Sequence, residues 1–182
     1  MIWFFIFLLT LIILAITALL YHNLLNISSP PYVPTINKKV KKIIIRELKN
    51  SNISTFYELG CGTAEISFFV KKNFPKIKVI AIEHDIFIYL IIRLKGILLG
   101  SKIKFYRKDI QKFNFKNKKS PSLMYCYLYP KYMDYLYHNQ KFYNNKVISL
   151  DFEIQGIKPE NKIILNKFNF QKQILIYNFL SK

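Results

Sequence analysis

The sequence predicts an α/β fold in which strands and helices alternate around a mostly parallel sheet, with an apolar segment ahead of it. Three observations carry this. Residues 56–65 read as the end of a buried strand, a glycine turn and the start of a helix. Apolar runs of strand length recur downstream, and two of them lead to an acid, Glu83 and Asp109. Residues 163–170 and 173–179 alternate like a closing antiparallel hairpin.

The apolar segment comes first in the chain. Residues 2–21 hold no charged side chain. About 20 apolar residues at about 1.5 Å rise match a hydrocarbon core of about 30 Å. Trp3 and Tyr21 stand near its two ends, where interfacial aromatics are found. The expectation is one uncleaved transmembrane anchor over residues 1–21. A cleaved signal peptide fits less well, because no Lys or Arg precedes the run and it exceeds the usual apolar core of such signals. Lys38, Lys39, Lys41, Lys42 and Arg46 all follow the run. The positive-inside rule then expects a single-pass membrane protein whose main domain faces the cytoplasm.

Residues 22–34 read as a linker, with Pro30, Pro31 and Pro34 opposing helix. Thr35 is the expected N-cap of a helix over 36–48, and Val40, Ile43, Ile44 and Leu48 form its apolar face. The main domain is expected over 35–182.

Within it, residues 53–59 form the first expected strand, followed by the turn at Gly60 and Gly62. Glycine there allows a tight turn and close approach of backbone to a ligand. A helix over 64–72 would aim its N-terminus at that ligand. The second strand, 78–83, ends in Glu83, about 20 residues beyond the turn, where a carboxylate can accept from both hydroxyls of a ribose. A surface Glu at a strand end is the alternative. Asp85 is the expected cap of a helix over 86–99 that is apolar nearly all round. That helix is too short to span a bilayer, so it is either deeply buried or leans on a membrane surface, with Arg93 and Lys95 reaching out. A third strand, 103–107, leads to Asp109, an acceptor for an exocyclic amine or a plain turn residue. Strands over 123–128 and 146–152, with a helix over 131–141 between them, bring the total to seven strands.

Composition narrows the function. The formal net charge is +18 over 182 residues. It suits an anionic partner such as lipid headgroups, nucleic acid or an acidic protein, and it also suits compositional drift toward Ile, Lys, Asn, Phe and Tyr. Cys61 and Cys126 stand far apart, and His22, His84 and His138 are scattered, so no metal-ligand spacing exists and a reducing compartment is expected.

Glu58-Leu59-Gly60-Cys61-Gly62, Glu83 and Asp109, in a strand–helix order closed by a hairpin, resemble the class I S-adenosylmethionine-dependent methyltransferases. The resemblance covers about residues 35–179. It implies a Rossmann-like, seven-stranded, mostly parallel sheet with a C-terminal antiparallel hairpin, and S-adenosyl-L-methionine as cofactor. A nucleotide-binding dehydrogenase is less similar, since its third glycine would fall at Glu65. Pro31-Tyr32-Val33-Pro34-Thr35, Tyr127-Leu128-Tyr129-Pro130 and the segment from Phe152 to Pro159 are similar to a narrower group. These are the membrane-anchored lysine methyltransferases of the ATP synthase c-subunit and the adenine nucleotide translocase. The resemblance implies donor contacts from Thr35, Glu58, Gly60, Cys61, Gly62, Glu83, His84, Asp109 and Ile110. It implies an acceptor side, with the catalytic candidates, at Tyr127, Tyr129 and Pro130, although these tyrosines could equally serve packing alone. The sequence departs from the motif at Ala64, where a third glycine is usual; alanine at a helix start is expected to be sterically mild. An Asp/Asn-Pro-Pro-Tyr/Phe motif, used by nucleic-acid amino-methylating enzymes, is missing from the sequence.

The expected activity is methyl transfer to a lysine of a membrane protein, with the bilayer and that protein as partners. Nucleic acid is not an expected partner, and no metal is expected. A lipid or quinone precursor, RNA, and a non-catalytic membrane adaptor of the same fold are the alternatives.

Overall fold

The computed structural model describes residues 2–25, 38–49, 52–115, 120–167 and 170–180. The chain divides into two compact units, Met1–Pro31 and Tyr32–Lys182.

The first unit contains one helix, α1 (Ile2–Leu25), of 24 residues. It runs past the expected end at Tyr21, because no proline occurs before residue 30 and nothing in residues 22–25 forbids helix. The expected linker therefore begins no earlier than residue 26. Side chains of α1 are described over residues 2–17, and every one is exposed. Among the described residues no helix is long and apolar enough to cross a membrane. The span expected over 2–21 is thus not established by the described residues.

The second unit is a seven-stranded mixed sheet with helices on both faces. Its elements are α2 (Lys38–Lys49), β1 (Thr55–Leu59), α3 (Glu65–Asn73), β2 (Lys78–Glu83), α4 (Ile86–Leu98), β3 (Lys104–Arg107), β4 (Ser122–Cys126), α5 (Pro130–His138), β5 (Asn145–Leu150), β6 (Asn161–Lys167) and β7 (Phe170–Asn178). The strand order is β3-β2-β1-β4-β5-β7-β6. β1 to β5 are parallel, and β7 joins antiparallel to both β5 and β6. The Rossmann-like, mostly parallel sheet and the antiparallel hairpin are as expected.

Side chains alternate across the sheet and form two cores. Phe56, Val79, Ala81, Leu123 and Tyr125 face one core, with Ile66 and Val70 of α3 and Ile92 of α4. Tyr57, Ile80, Ile82, Met124 and Cys126 face the other, with Met133 and Leu136 of α5. This is the period of two expected for strands covered on both faces. α2 buries Val40, Ile43, Ile44 and Leu48, the expected face, and Glu47 beside them. Glu47 is held by Arg46 Nη2 at 2.8 Å and by Lys146 Nζ of β5 at 2.7 Å.

Several element ends differ from expectation for physical reasons. β1 starts at Thr55 rather than 53, because its neighbour β2 begins at Lys78, just after Pro75. β4 stops at Cys126, paired with Leu59, after which β1 turns away at Gly60. Tyr127 and Leu128 therefore belong to the loop, not the strand. Tyr129 is extended (φ −55°, ψ 150°), as a residue before proline must be, and Pro130 opens α5.

Candidate functional site

The site begins where β1 ends. Gly60 and Gly62 have φ of +65° and +51°, a region that side chains rarely enter. A Cβ on Gly60 would lie 3.1 Å from Leu128 Cδ2. Glycine thus lets the turn after β1 pack directly on the loop after β4, which brings together the two segments expected to meet a donor and an acceptor. The Cys61 N–H donates to the Ile82 carbonyl at 2.9 Å, tying the turn to the end of β2.

Ala64 corrects the expectation made for it. It is not the mild first residue of a helix. It has φ 55° and ψ 29°, a left-handed conformation, and is fully buried; α3 begins only at Glu65. The usual glycine at this position would serve backbone geometry rather than space. For alanine the conformation costs about 1–2 kcal/mol.

Glu83 is the clamp of the site. Its Oε2 accepts from the Gly62 N–H at 2.9 Å. Its Oε1 accepts from the backbone N–H groups of His84 and Asp85 at 2.9 and 3.1 Å, and His84 Nδ1 stands 3.2 Å away. Burial alone would raise the pKa of this carboxyl. The hydrogen bonds of His84, Asp85 and Gly62 outweigh burial and hold it below the usual range. The same contact raises the pKa of His84. Oε1 is saturated, so only Oε2 keeps a lone pair for an incoming hydroxyl. Glu83 can accept from one ribose hydroxyl through Oε2; acceptance from both through separate oxygens is not available.

Glu58 lies at a different level. It is 4% exposed, and its Oε2 accepts from the Ser67 N–H at 2.8 Å, bracing the first turn of α3. Burial pushes its carboxyl up to about 7, against the pull of Ser67. Its described hydrogen bond thus goes to the helix, which makes it a positioning residue for the turn. Cys61 is buried, and burial pushes its thiol well up; Cys61 and Cys126 are both free.

Asp109 follows β3, the next strand outward. Its Oδ1 accepts from the Gln111 N–H at 2.9 Å. Oδ2 has no hydrogen bond among the described residues. Ile110 beside it is 8% exposed and packs in the core with Leu59 and Ile82. Thr35, and with it residues 31–35, lies outside the described residues. Among the described residues no group of His, Cys, Asp and Glu could hold a metal ion.

On the acceptor side, Tyr127 and Tyr129 both pack against Phe152, with ring centroids 5.3 and 5.8 Å away. Lys172 Nζ lies over the Tyr127 ring at 5.5 Å and 3.7 Å from Asp151 Oδ2. Burial raises the pKa of the Tyr127 hydroxyl, followed by Asp151 and Tyr129. Pro130 is exposed and starts α5. Phe152 was not among the expected site residues, although it opens the segment to Pro159 on which the narrower resemblance partly rests. Lys172 gave no signal, because its contact depends on how β7 pairs with β5.

The acids and glycines therefore cluster past the carboxyl ends of β1, β2 and β3, beside the β1/β4 boundary where strand order reverses. This is where open α/β sheets take ligands. A small adenosyl donor fits these residues. The glycine backbone can approach it, Glu83 Oε2 can accept from a ribose hydroxyl, and Asp109 Oδ2 can accept from an amine.

No protein-family model matches the sequence, and no curated protein matches it significantly. Solved structures do match. One is an RNA methyltransferase from Salinibacter ruber in complex with S-adenosyl-L-homocysteine, with TM-score 0.64 and 17% identity, covering 82% of this chain and 95% of that one. TrmK from M. capricolum, in complex with S-adenosyl-homocysteine, gives TM-score 0.60 and 12% identity over 80% and 68%. A human methyltransferase 10 domain containing protein gives 0.59 and 12% over 81% and 85%. At these identities the likeness establishes the fold, and this chain has the α/β fold of those methyltransferases.

Proposed function

We propose that the protein is an S-adenosyl-L-methionine-dependent methyltransferase. The observation that carries this is the clamp of Glu83 on Gly62, which joins the glycine turn to a ribose-accepting carboxylate at the adjoining strand end. The bound S-adenosyl-homocysteine named in two similar structures supports the same cofactor.

The donor's sulfonium makes its methyl electrophilic, so the protein's task is chiefly alignment. Gly60, Cys61 and Gly62 offer backbone to the methionine end, with Glu58 fixing the turn from below. Glu83 receives a ribose hydroxyl, and His84 and Asp85 hold its carboxylate in place. Asp109 and Ile110 border the base. Tyr127, Tyr129 and Phe152 form an aromatic wall on the acceptor side. A low-dielectric wall lowers the pKa of an entering amine, so the neutral nucleophile forms without a dedicated base.

For the acceptor we favour a lysine of a membrane protein. The uncharged run of α1 supports an anchor, and a tethered site meets membrane proteins at high effective concentration. The narrower family resemblance points the same way. RNA is the second reading, favoured by the +18 charge and by the RNA methyltransferases among the similar structures. In the favoured reading the domain faces the cytoplasm.

Calorimetry of the full-length chain with S-adenosyl-homocysteine tests the first step. Binding should be measurable, and Glu83→Gln should weaken it at least about tenfold while circular dichroism is unchanged, since a carboxylate hydrogen bond to a ligand contributes about 1.5–3 kcal/mol. Absence of binding by a folded chain would remove the enzyme reading. Labelled methyl donor added to membranes and RNA then identifies the acceptor: label in protein supports lysine, and label in RNA replaces it.

A further inference from the structure

α4 covers the sheet with a narrow strip and turns the rest of its apolar surface outward. Ile92 and Gly96 are its buried residues. Ile86, Leu90, Ile91, Leu94, Ile97 and Leu98 are exposed, the last at 77%. At about 100° per residue these six fall within an arc of about 140°. Arg93 lies just before one edge of the arc and Lys95 just beyond the other. Lys95 Nζ is steadied over the Phe68 ring at 4.8 Å. α4 holds no acid, and the Asp85 that caps it is buried. Beside the stripe, an open groove of about 460 Å³ runs between α4 and β3, and Arg93, Lys104, Tyr89 and Tyr106 line it.

A stripe this apolar is not what a domain surface facing only water presents. We propose that the outward face of α4 docks in the interface of an anionic bilayer. The six apolar side chains would enter the acyl boundary, and Arg93, Lys95 and Lys104 would meet lipid phosphates. The charge pattern selects lipid over a second copy. An isologous contact would bring cation against cation, with no acid on α4 to relieve it. The docking goes beyond the methyl-transfer reading and stands whether or not α1 spans the membrane.

The test uses the full-length chain in vesicles of phosphatidylcholine with a minority of phosphatidylglycerol. An environment-sensitive fluorophore is attached at Leu94→Cys, and in a second variant at Ile97→Cys. The native thiols are buried and react slowly. A label at Tyr135→Cys, on the helix covering the opposite sheet face, is the control. Expected are a blue shift and strong quenching by brominated lipid tails at Leu94 and Ile97, but not at Tyr135. Arg93→Glu with Lys95→Glu should lower the quenched fraction at least about twofold in these vesicles. A Leu94 label that stays in water while the protein sediments with vesicles overturns the proposal, and so does protein that never sediments. Shielding that grows with protein concentration, without lipid quenching, assigns the face to a second copy instead.

Discussion

Ala64 holds a left-handed backbone that glycine would hold more easily, and opposing terms decide what its replacement does. Glycine relieves about 1–2 kcal/mol of strain. It also loses a buried methyl, about 0.8 kcal/mol, and loosens the unfolded chain by about 0.4–1 kcal/mol. Ala64→Gly should therefore lie within about 1 kcal/mol of neutral in urea denaturation, whereas Ala64→Val should lose at least about 2 kcal/mol. A valine variant as stable as the parent would show that the turn adopts another conformation. Glu58 predicts a pH effect. Its folded pKa of about 7 stands above the ordinary 4.5, so between those values the folded chain keeps a proton that the unfolded chain has released. Stability from this group is complete below about 4.5 and is lost as pH rises toward 7. Glu83, held low, acts in the opposite sense and in a more acid window. Subtracting the profile of Glu58→Gln, which keeps an acceptor for Ser67, should isolate a falling slope between these limits; identical profiles would contradict the buried, raised carboxyl. Sequence spacing located Glu83, Gly60 and Gly62 because the turn needs those residue types. It did not reveal the strain at Ala64, which is a matter of φ, or the burial of Glu58, which depends on α3 closing over it.

α4 and β3 meet where Gly96 faces Phe105. A Cβ on Gly96 would come 2.6 Å from Phe105 Cε2. Overpacking there costs about 1–3 kcal/mol, against about 1 kcal/mol gained in helix propensity. Gly96→Ala alone should thus lose up to about 2 kcal/mol. In a Phe105→Leu background the same change should be neutral or stabilising, a coupling of at least about 1 kcal/mol in a double-mutant cycle. Strict additivity would mean that the ring already has room to move. Elements with local signals were legible: the Asp85 cap accepts from Phe87 and Ile88 as expected, and the α2 face is buried residue for residue. Contacts between elements were not. The pairing of Glu47 with Lys146 and the packing of Tyr127 on Phe152 depend on register across the sheet, which no local pattern encodes. Of the two expectations for α4, exposure rules out deep burial: its apolar faces are too wide for the strip of sheet available, so most remain outside.

At the scale of the molecule, alternating strand–helix signals were enough to set the number and kinds of strands. Position in the sheet was not, because order depends on which edges remain free when each strand arrives. β7 follows β6 in the chain and yet separates it from β5. This arrangement has a consequence for biosynthesis. Until β7 has left the ribosome, β5 presents an open hydrogen-bonding edge and β6 has nothing to pair with. The parallel half can assemble early, whereas closure waits for a strand that must slot between two waiting neighbours. A chain lacking residues 170–178 should therefore accumulate as aggregate or chaperone-bound material, not as a smaller native domain. Pulse-labelled translation products of increasing length should turn protease-resistant only once β7 has emerged. The nascent protein's period of greatest vulnerability is thus set by β7, although the glycine turn of the ligand cradle, at the other side of the sheet, is already encoded more than a hundred residues earlier.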